Sequence, residues 1–258
     1  WRPSWPWCSA QSPPRAQHAR NGHRGRRVAL GHVQAPRASR LEAVEAIRRL
    51  QFAYGYFLDK WLYDEALACF AEAGEFHFTN GIFRGRDHGL RRFYCDMLKT
   101  HWGSWTPPVH GALVDHPVMQ DVITISEDGD HAFGRFRFIE FVGVHVSNTE
   151  TRIKPPDHPW EGPDAERQWI GGCLYENEYV REDGIWKIAK IQYSVDWNVP
   201  WEKGWAHAET SLPQFEKLYP DDPLGPDAFR AAPPMWPETH ITPFHFNHPV
   251  TGEKVGKG

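Results

Sequence analysis

The sequence is poor in cysteine, and the few cysteines that it has exclude two classes of protein. The chain contains four, Cys8, Cys69, Cys95 and Cys173. None of them belongs to a C-x-x-C pair of the kind found in zinc sites and redox proteins. A chain of 258 residues can also bury a core large enough to fold without disulfide bonds. We therefore expect reduced thiols and a cytoplasmic protein.

Long hydrophobic runs and glycine-rich fingerprints are also absent. The most apolar stretch, residues 136–146, is interrupted by Arg137, Glu140 and His145, so no segment is predicted to span a membrane. Neither G-x-G-x-x-G nor the P-loop motif occurs, which argues against nucleotide, flavin and nicotinamide cofactors. The histidines near the C-terminus are a weak alternative as a metal site, because no carboxylate or cysteine spacing around them fits one. We expect neither a cofactor nor a metal.

Acidic residues are missing from the first 41 positions, which carry eight arginines. This segment is rich in proline, glycine and serine and shows no apolar period, so residues 1–40 are predicted to be a disordered arm. Such an arm is typical of nucleic-acid binding or of a transit peptide, but an extension foreign to the folded domain explains it more simply. The remainder of the chain is acidic, which argues against a nucleic-acid partner.

Apolar periodicity divides the remainder of the chain into helices followed by strands. A 3.6-residue period predicts helices that begin near residues 41, 64 and 87, and strict alternation after residue 108 predicts long strands. Three helices on a strongly curved antiparallel sheet make an α+β fold over residues 41–197. Residues 198–258 are rich in proline and aromatic residues without a period, and we expect this tail to wrap the surface or a neighbouring subunit.

Aromatic residues are the one class in clear excess, with 13 Trp, 15 Phe and 8 Tyr. This number exceeds what a core of this size requires and indicates a cavity with aromatic walls. The space between a curved sheet and its covering helices is the natural place for such a cavity. An aromatic small molecule is therefore the expected binding partner.

Three segments carry a resemblance to a known family: CLYENEYVREDGIWKIAK (173–190), EAIRRLQFAYGYFLDKWLYDEALACF (45–70) and GIFRGRD (81–87). Together they resemble the SnoaL-like branch of the nuclear transport factor 2 superfamily. Its enzymes include scytalone dehydratase, hexachlorocyclohexane dehydrochlorinase and a lyase that acts on lignin-derived diarylpropanes. The resemblance covers residues 41–197 and implies a cone-shaped α+β barrel. It does not by itself imply catalysis, because the superfamily also contains proteins without catalytic activity.

The resemblance implies a catalytic aspartate near the end of helix one and a histidine on the strand after helix three. Asp59 and His110 occupy these positions, and an aspartate bonded to one imidazole nitrogen leaves the other free to take a proton. Asp59 is otherwise read as an ordinary helix-end carboxylate. His116 has the same strand parity as His110 but is expected about 20 Å further along, too remote to replace it. Tyr56, three residues before Asp59, is the third expected catalytic residue.

Further substrate-binding candidates come from helix and strand parity, which places residues two apart in a strand on one face. Some of these residues have a purely structural interpretation. Tyr54 and the tryptophans Trp102 and Trp105 could be core residues, and Arg135 and Arg137 could lie on a solvated sheet face. The candidates are Tyr54, Trp102, Trp105, Arg135, Arg137, Trp169, Tyr175 and Asn177.

These observations predict a cofactor-independent lyase that eliminates a small group from a hydrophobic aromatic molecule, with a lignin-derived diaryl compound as the suggested substrate. A hydratase or isomerase with the same dyad is one alternative. A non-catalytic module that only binds a small ligand is the other. We expect a homo-oligomer, a dimer or a trimer.

Overall fold

Buried residues at intervals of three and four build the first helix, α1 (Arg37–Leu58). Ala43, Ile47, Gln51 and Tyr54 are all buried on one face, as the predicted period requires. The helix ends at Leu58, and the backbone N–H of the next residue, Asp59, still donates to the Gly55 carbonyl over 2.9 Å. This single extra bond places Asp59 in the turn just beyond the helix.

The computed structural model describes residues 37–99, 107–148, 168–210, 212 and 214–256. The predicted arm and both Trp102 and Trp105 lie outside these ranges, apart from the first residues of α1. All the described residues belong to one compact unit, 34–258. No helix among them is both long and apolar enough to cross a membrane.

Two short helical units follow α1. Helix α2 (Tyr63–Ala68) ends earlier than its apolar pattern predicts, because the chain enters a strand at Phe70. A helical unit that we name α3 consists of two π-helical segments, Gly85–Leu90 and Arg92–Met97. Their buried side chains face the sheet, and Phe93 and Tyr94 are almost completely buried.

Within the described ranges, eight strands form one sheet in the order β3-β5-β6-β7-β1-β2-β8, and β4 also pairs with β5. The strands are β1 (Phe70–Phe78), β2 (Gly81–Arg84), β3 (Ala112–Asp115), β4 (Val118–Ile125), β5 (His131–Val144), β6 (Gln168–Glu182), β7 (Ile185–Pro200) and β8 (Ala228–Phe229).

The predicted α+β class is confirmed, with two differences in the sheet. The sheet is curved but does not close into a barrel, and it is mixed, because β1 runs parallel to β7. This pairing follows from the β1–β2 hairpin, which occupies one edge of β1 and leaves the other for β7. The helices cover the face that carries Phe136, Phe138, Tyr175 and Ile191, all of them buried.

The C-terminal tail lies along the β1–β2 hairpin and α3. The Asn80 side chain pairs with the backbone of Phe215 through two hydrogen bonds of 2.8 and 2.9 Å. Arg92 donates to the Gly225 carbonyl over 2.8 Å and to the Asp227 carboxylate over 2.6 Å. These contacts tie the tail to the elements that surround the interior cavity.

Candidate functional site

A deep cavity opens between the helices and the inner face of the sheet. Its interior volume is about 180 Å³, and an apolar cavity of about 150 Å³ is already enough to hold a benzene molecule. Aromatic rings make up most of the wall, and Leu212 is contributed by the C-terminal tail. The lining residues are Tyr54, Leu58, Trp61, Tyr63, Phe76, Phe78, Phe93, Tyr94, Leu98, Val114, His116, Glu140, Val142, Tyr175, Tyr193 and Leu212.

A buried histidine–aspartate pair lies in the wall of this cavity. The Nδ1 atom of His116 is 2.5 Å from the Oδ1 atom of Asp59, and the His116 backbone N–H donates to Oδ2 over 3.0 Å. Both side chains are more than nine-tenths buried. Because a carboxylate accepts hydrogen bonds, Nδ1 carries a proton and Nε2 is the nitrogen left to interact with a ligand.

The surroundings of His116 favour its protonated form. Burial alone would lower the pKa of His116. The hydrogen bond to Asp59 and the charges of Glu140, Asp59 and Asp115 outweigh burial and raise that pKa above its ordinary value of 6.5. A higher pKa makes neutral His116 a stronger base toward a bound molecule.

Glu140 is the second carboxylate in the cavity wall. Its Oε2 atom accepts a hydrogen bond from the Tyr193 hydroxyl over 2.8 Å and a weaker one from the Cys173 thiol over 3.6 Å. The β3–β5 register pairs Asp115 with Phe141, so the next pair in this register sets His116 opposite Glu140. Facing pairs in a ladder are close neighbours.

Five tyrosines of the wall keep their protons. The hydroxyls of Tyr54 and Tyr94 are 2.6 Å apart and hydrogen-bonded to each other. Burial raises the pKa of Tyr54, Tyr63, Tyr94, Tyr175 and Tyr193 above the ordinary value of 10.0. Neutral hydroxyls beside a histidine can donate hydrogen bonds to a leaving group or a carbonyl oxygen.

The expected pairing of His110 with Asp59 is corrected by the structure. His110 lies in the turn before β3, next to Gly111 with its positive φ of 69°, and its Nε2 atom is 3.0 Å from the Ser147 hydroxyl. The residue that contacts Asp59 is His116, which directly follows β3. The strand is only four residues long, so its far end, and not its beginning, meets the end of α1.

The expected role of Tyr56 is also corrected. Its side chain is 74% exposed, whereas Tyr54 is 1% exposed and lines the cavity. Asp59 lies beyond the end of the helix. The rule that residues three apart share a helix face therefore does not place Tyr56 on the same side as Asp59.

Arg135 and Arg137 lie on the outer face of the sheet, away from the cavity. Arg137 is exposed, and Arg135 donates to Glu176 over 2.5 Å and to the tail carbonyl of Thr242 over 2.9 Å. Neither arginine can contact a molecule in the cavity, which corrects their expected role in substrate binding.

The candidates on β6 do face inward, as their parity predicts. Tyr175 lines the cavity, and Asn177 is buried but donates to Gln51 over 3.0 Å, outside the lining. Trp169 is half-buried and is not among the lining residues. Trp102 and Trp105 lie outside the described ranges.

His116, Glu140 and Tyr193 line the cavity but were not among the residues expected there from the sequence. One signal for Glu140 was available, because it shares strand parity with the apolar residues Phe136 and Phe138. A carboxylate in an otherwise apolar inward set is unusual. Within the described ranges, no group of three or more histidine, cysteine or acidic side chains is arranged to hold a metal ion.

Solved structures with similar folds share little sequence with this chain. A candidate scytalone dehydratase from Novosphingobium aromaticivorans is 20% identical, with 64% of this chain and 91% of that chain covered and a TM-score of 0.47. A hexachlorocyclohexane dehydrochlorinase of LinA type 3 from Novosphingobium barchaimii is 16% identical, with 69% and 99% covered and a TM-score of 0.48. These identities are too low to carry over an activity, and no curated protein matches the chain.

A family match covers more than half of the chain. Residues 39–192 match the SnoaL-like domain, a range that includes nearly all of α1, most of the cavity wall and most of the sheet. The chain therefore belongs to the SnoaL-like domain family of the nuclear transport factor 2-like superfamily.

Proposed function

We propose that this protein is a cofactor-independent lyase that eliminates a small group from a hydrophobic aromatic molecule, with His116 as the general base. The observation that carries the proposal is the buried Asp59–His116 pair in the wall of an aromatic cavity. A base that is oriented by a carboxylate and shielded from water has the features that proton abstraction requires.

The proposed step uses only groups of this chain and the substrate. The Nε2 atom of neutral His116 takes a proton from a carbon of the substrate, and the electrons of the broken C–H bond form a new C=C double bond. The leaving group departs from the adjacent carbon with its bonding electron pair. A tyrosine hydroxyl in the wall stabilises the charge on that group by donating a hydrogen bond.

Asp59 acts through the imidazole and does not take the proton itself. Its bond to Nδ1 fixes the tautomer in which Nε2 is free, and its charge stabilises the imidazolium that forms. The family resemblance in the sequence implies dehydratase and dehydrochlorinase chemistry, and both are eliminations. The aromatic walls on several sides support a substrate with more than one ring.

A comparison of two histidine variants tests this proposal. Turnover of hydroxylated diarylpropanes, 1-arylethyl alcohols and 1-arylethyl chlorides, which carry the leaving group on the side chain, is followed by chromatography of the alkene products. We expect His116→Ala to reduce turnover by about 10²–10⁴-fold, whereas His110→Ala, its matched control, leaves turnover within about twofold because His110 contacts Ser147 outside the cavity.

Three results would contradict the proposal. Turnover that survives His116→Ala would exclude His116 as the base. Turnover that is lost with His110→Ala alone would return the role to that residue. A wild-type protein that binds the aromatic compounds tightly but converts none of them would be a binding module.

A further inference from the structure

Glu140 is a carboxylate of the cavity with one oxygen left unpaired. Oε2 accepts the hydrogen bonds from Tyr193 and Cys173. Oε1 accepts none from any residue in the described part of the chain. Because Glu140 lines the cavity, this oxygen is available to a hydrogen-bond donor on a bound molecule.

The charges of the cavity select the kind of donor. Of its described lining residues, His116 is the only histidine and Glu140 the only carboxylic acid, and Asp59 lies directly behind His116. Two carboxylates thus face a single imidazole, and no lysine or arginine lines the described wall. An anionic ligand would meet repulsion in a poorly solvated space.

A cationic ligand fits less well than a hydroxyl group. An ammonium group presents three N–H donors, whereas Glu140 offers one unpaired oxygen and the neighbouring Tyr193 hydroxyl already donates to Glu140. The ammonium would also lose its hydration next to an imidazole that is readily protonated. A hydroxyl has one donor proton and needs one acceptor.

We propose that Glu140 is a substrate-binding residue and that the substrate is an uncharged aromatic molecule whose hydroxyl group donates to its Oε1 atom. The proposal rests on the proposed function in taking this cavity as the substrate site. It places the bound hydroxyl next to His116, the cross-strand neighbour of Glu140, and so fixes which end of the substrate lies at the base.

Binding of four matched probes to the full chain tests the proposal by calorimetry, without any turnover. The probes are 4-ethylphenol, 4-ethylanisole, 4-ethylbenzoate and 4-ethylbenzylammonium, which differ in the polar group on one ring. We expect the phenol to bind about tenfold more tightly than the anisole, because a hydrogen bond to a charged acceptor is among the stronger ones. The benzoate and the ammonium probe should bind more weakly than the phenol.

Two variants assign the preference to Glu140. Glu140→Leu removes the acceptor and should bring the phenol and the anisole to equal affinity. Glu140→Gln keeps an acceptor oxygen without the charge, so the phenol preference should shrink and the benzoate should bind about tenfold more tightly. Glu178→Gln is the matched control, because Glu178 lies on the outer sheet face in an ion pair with Lys190, and it should leave all four affinities unchanged.

Several outcomes overturn the proposal. These are equal binding of phenol and anisole to the wild-type protein, no binding of any probe, the tightest binding by the ammonium probe, or a phenol preference that both Glu140 variants retain. If Glu140→Leu does not fold, Glu140→Gln alone decides. Because binding is measured apart from turnover, a probe preference that fails while turnover still depends on His116 rejects only the role of Glu140. An intact preference with turnover independent of His116 rejects only the lyase.

Discussion

At the scale of single residues, the state of His116 is set by the charges around it. Asp59 holds Nδ1, Asp115 precedes it in the chain and Glu140 faces it across the ladder. These charges outweigh burial and raise the pKa of His116 above 6.5. A base must be unprotonated to act, so a raised pKa makes the imidazole more basic and moves upward the pH above which His116 is active.

This environment predicts how activity depends on pH. Turnover should rise as the pH increases through the pKa of His116, and this limb should lie above pH 6.5. Glu140→Gln removes one of the charges that raise the pKa, so the limb should move to lower pH. The NMR titration of the His116 ring gives the same pKa independently, and a ring that titrates below its ordinary value would contradict the electrostatic account.

Raising the pH has opposite effects on the two roles of His116: it increases turnover and decreases the contribution of His116 to the stability of the fold. A histidine whose pKa is raised by folding stabilises the native state fully below the unfolded pKa, and this contribution is lost as the pH rises through the folded pKa. The Asp59–His116 pair therefore contributes least to stability where the base is most active.

The sequence predicted the side-chain direction of residues inside regular elements, but not of residues at the ends of those elements. Tyr175 lies on the inner sheet face that its alternating strand predicts, and Asp59, which follows an amphipathic helix, contacts a histidine as expected, although that histidine is His116. Tyr56 was expected beside Asp59 because helical periodicity was extended to Asp59, which lies past the last helical residue, whereas Tyr54, a substrate-binding candidate, lines the cavity. Such an error arises just past the end of a helix, where helical periodicity no longer applies and no strand alternation has started.

At the scale of elements, a cluster on the outer sheet face fastens the tail. The Glu176 carboxylate on β6 accepts from Arg135 of β5 over 2.5 Å and is 2.6 Å from the His245 ring. The Arg135 guanidinium also stacks on the Phe244 ring at 3.9 Å from its centroid. Burial alone would raise the pKa of Glu176, but the hydrogen bonds with His245 and Arg135 outweigh it and lower that pKa.

Glu176→Gln should therefore loosen the tail and leave the cavity intact. The change leaves Arg135 without its charged partner and should lower the free energy of unfolding by about 1–3 kcal/mol. Hydrogen exchange around residues 242–246 should accelerate, and Glu178→Gln serves as a control on the same strand. Unchanged exchange in the Glu176 variant would show that the cluster does not fasten the tail.

The same cluster has a predicted pH dependence. A carboxylate whose pKa is lowered by folding stabilises the native state above its unfolded pKa, and this contribution is lost as the pH falls through the folded pKa. Acidification should therefore release the tail before the core unfolds.

Element order could be predicted from periodicity, whereas the end of a short strand could not. The helices, the β1–β2 hairpin and the β6–β7 hairpin follow from local patterns. The alternation around His110 and His116 continues across a turn, a four-residue strand and the break at Pro117. Only the long-range pairing with β5 decides which histidine reaches Asp59.

At the scale of the whole molecule, the described core lies within residues 37–256. We expect removal of residues 1–36 to leave both the cooperative thermal transition and turnover unchanged, because this segment has no apolar period with which to join a core. Calorimetry of the truncated chain tests this. A loss of the cooperative transition would make the segment part of the fold.

The account as a whole depends on Asp59 and His116 acting as one unit in the cavity. A double-mutant cycle in turnover measures this directly, with Asp59→Asn, His116→Ala and the two combined. Each single variant should lose activity by about 10²–10⁴-fold, and the double variant should be scarcely worse than His116→Ala, because an orienting aspartate has no role without its imidazole. Losses that multiply would show two independent groups and contradict the account.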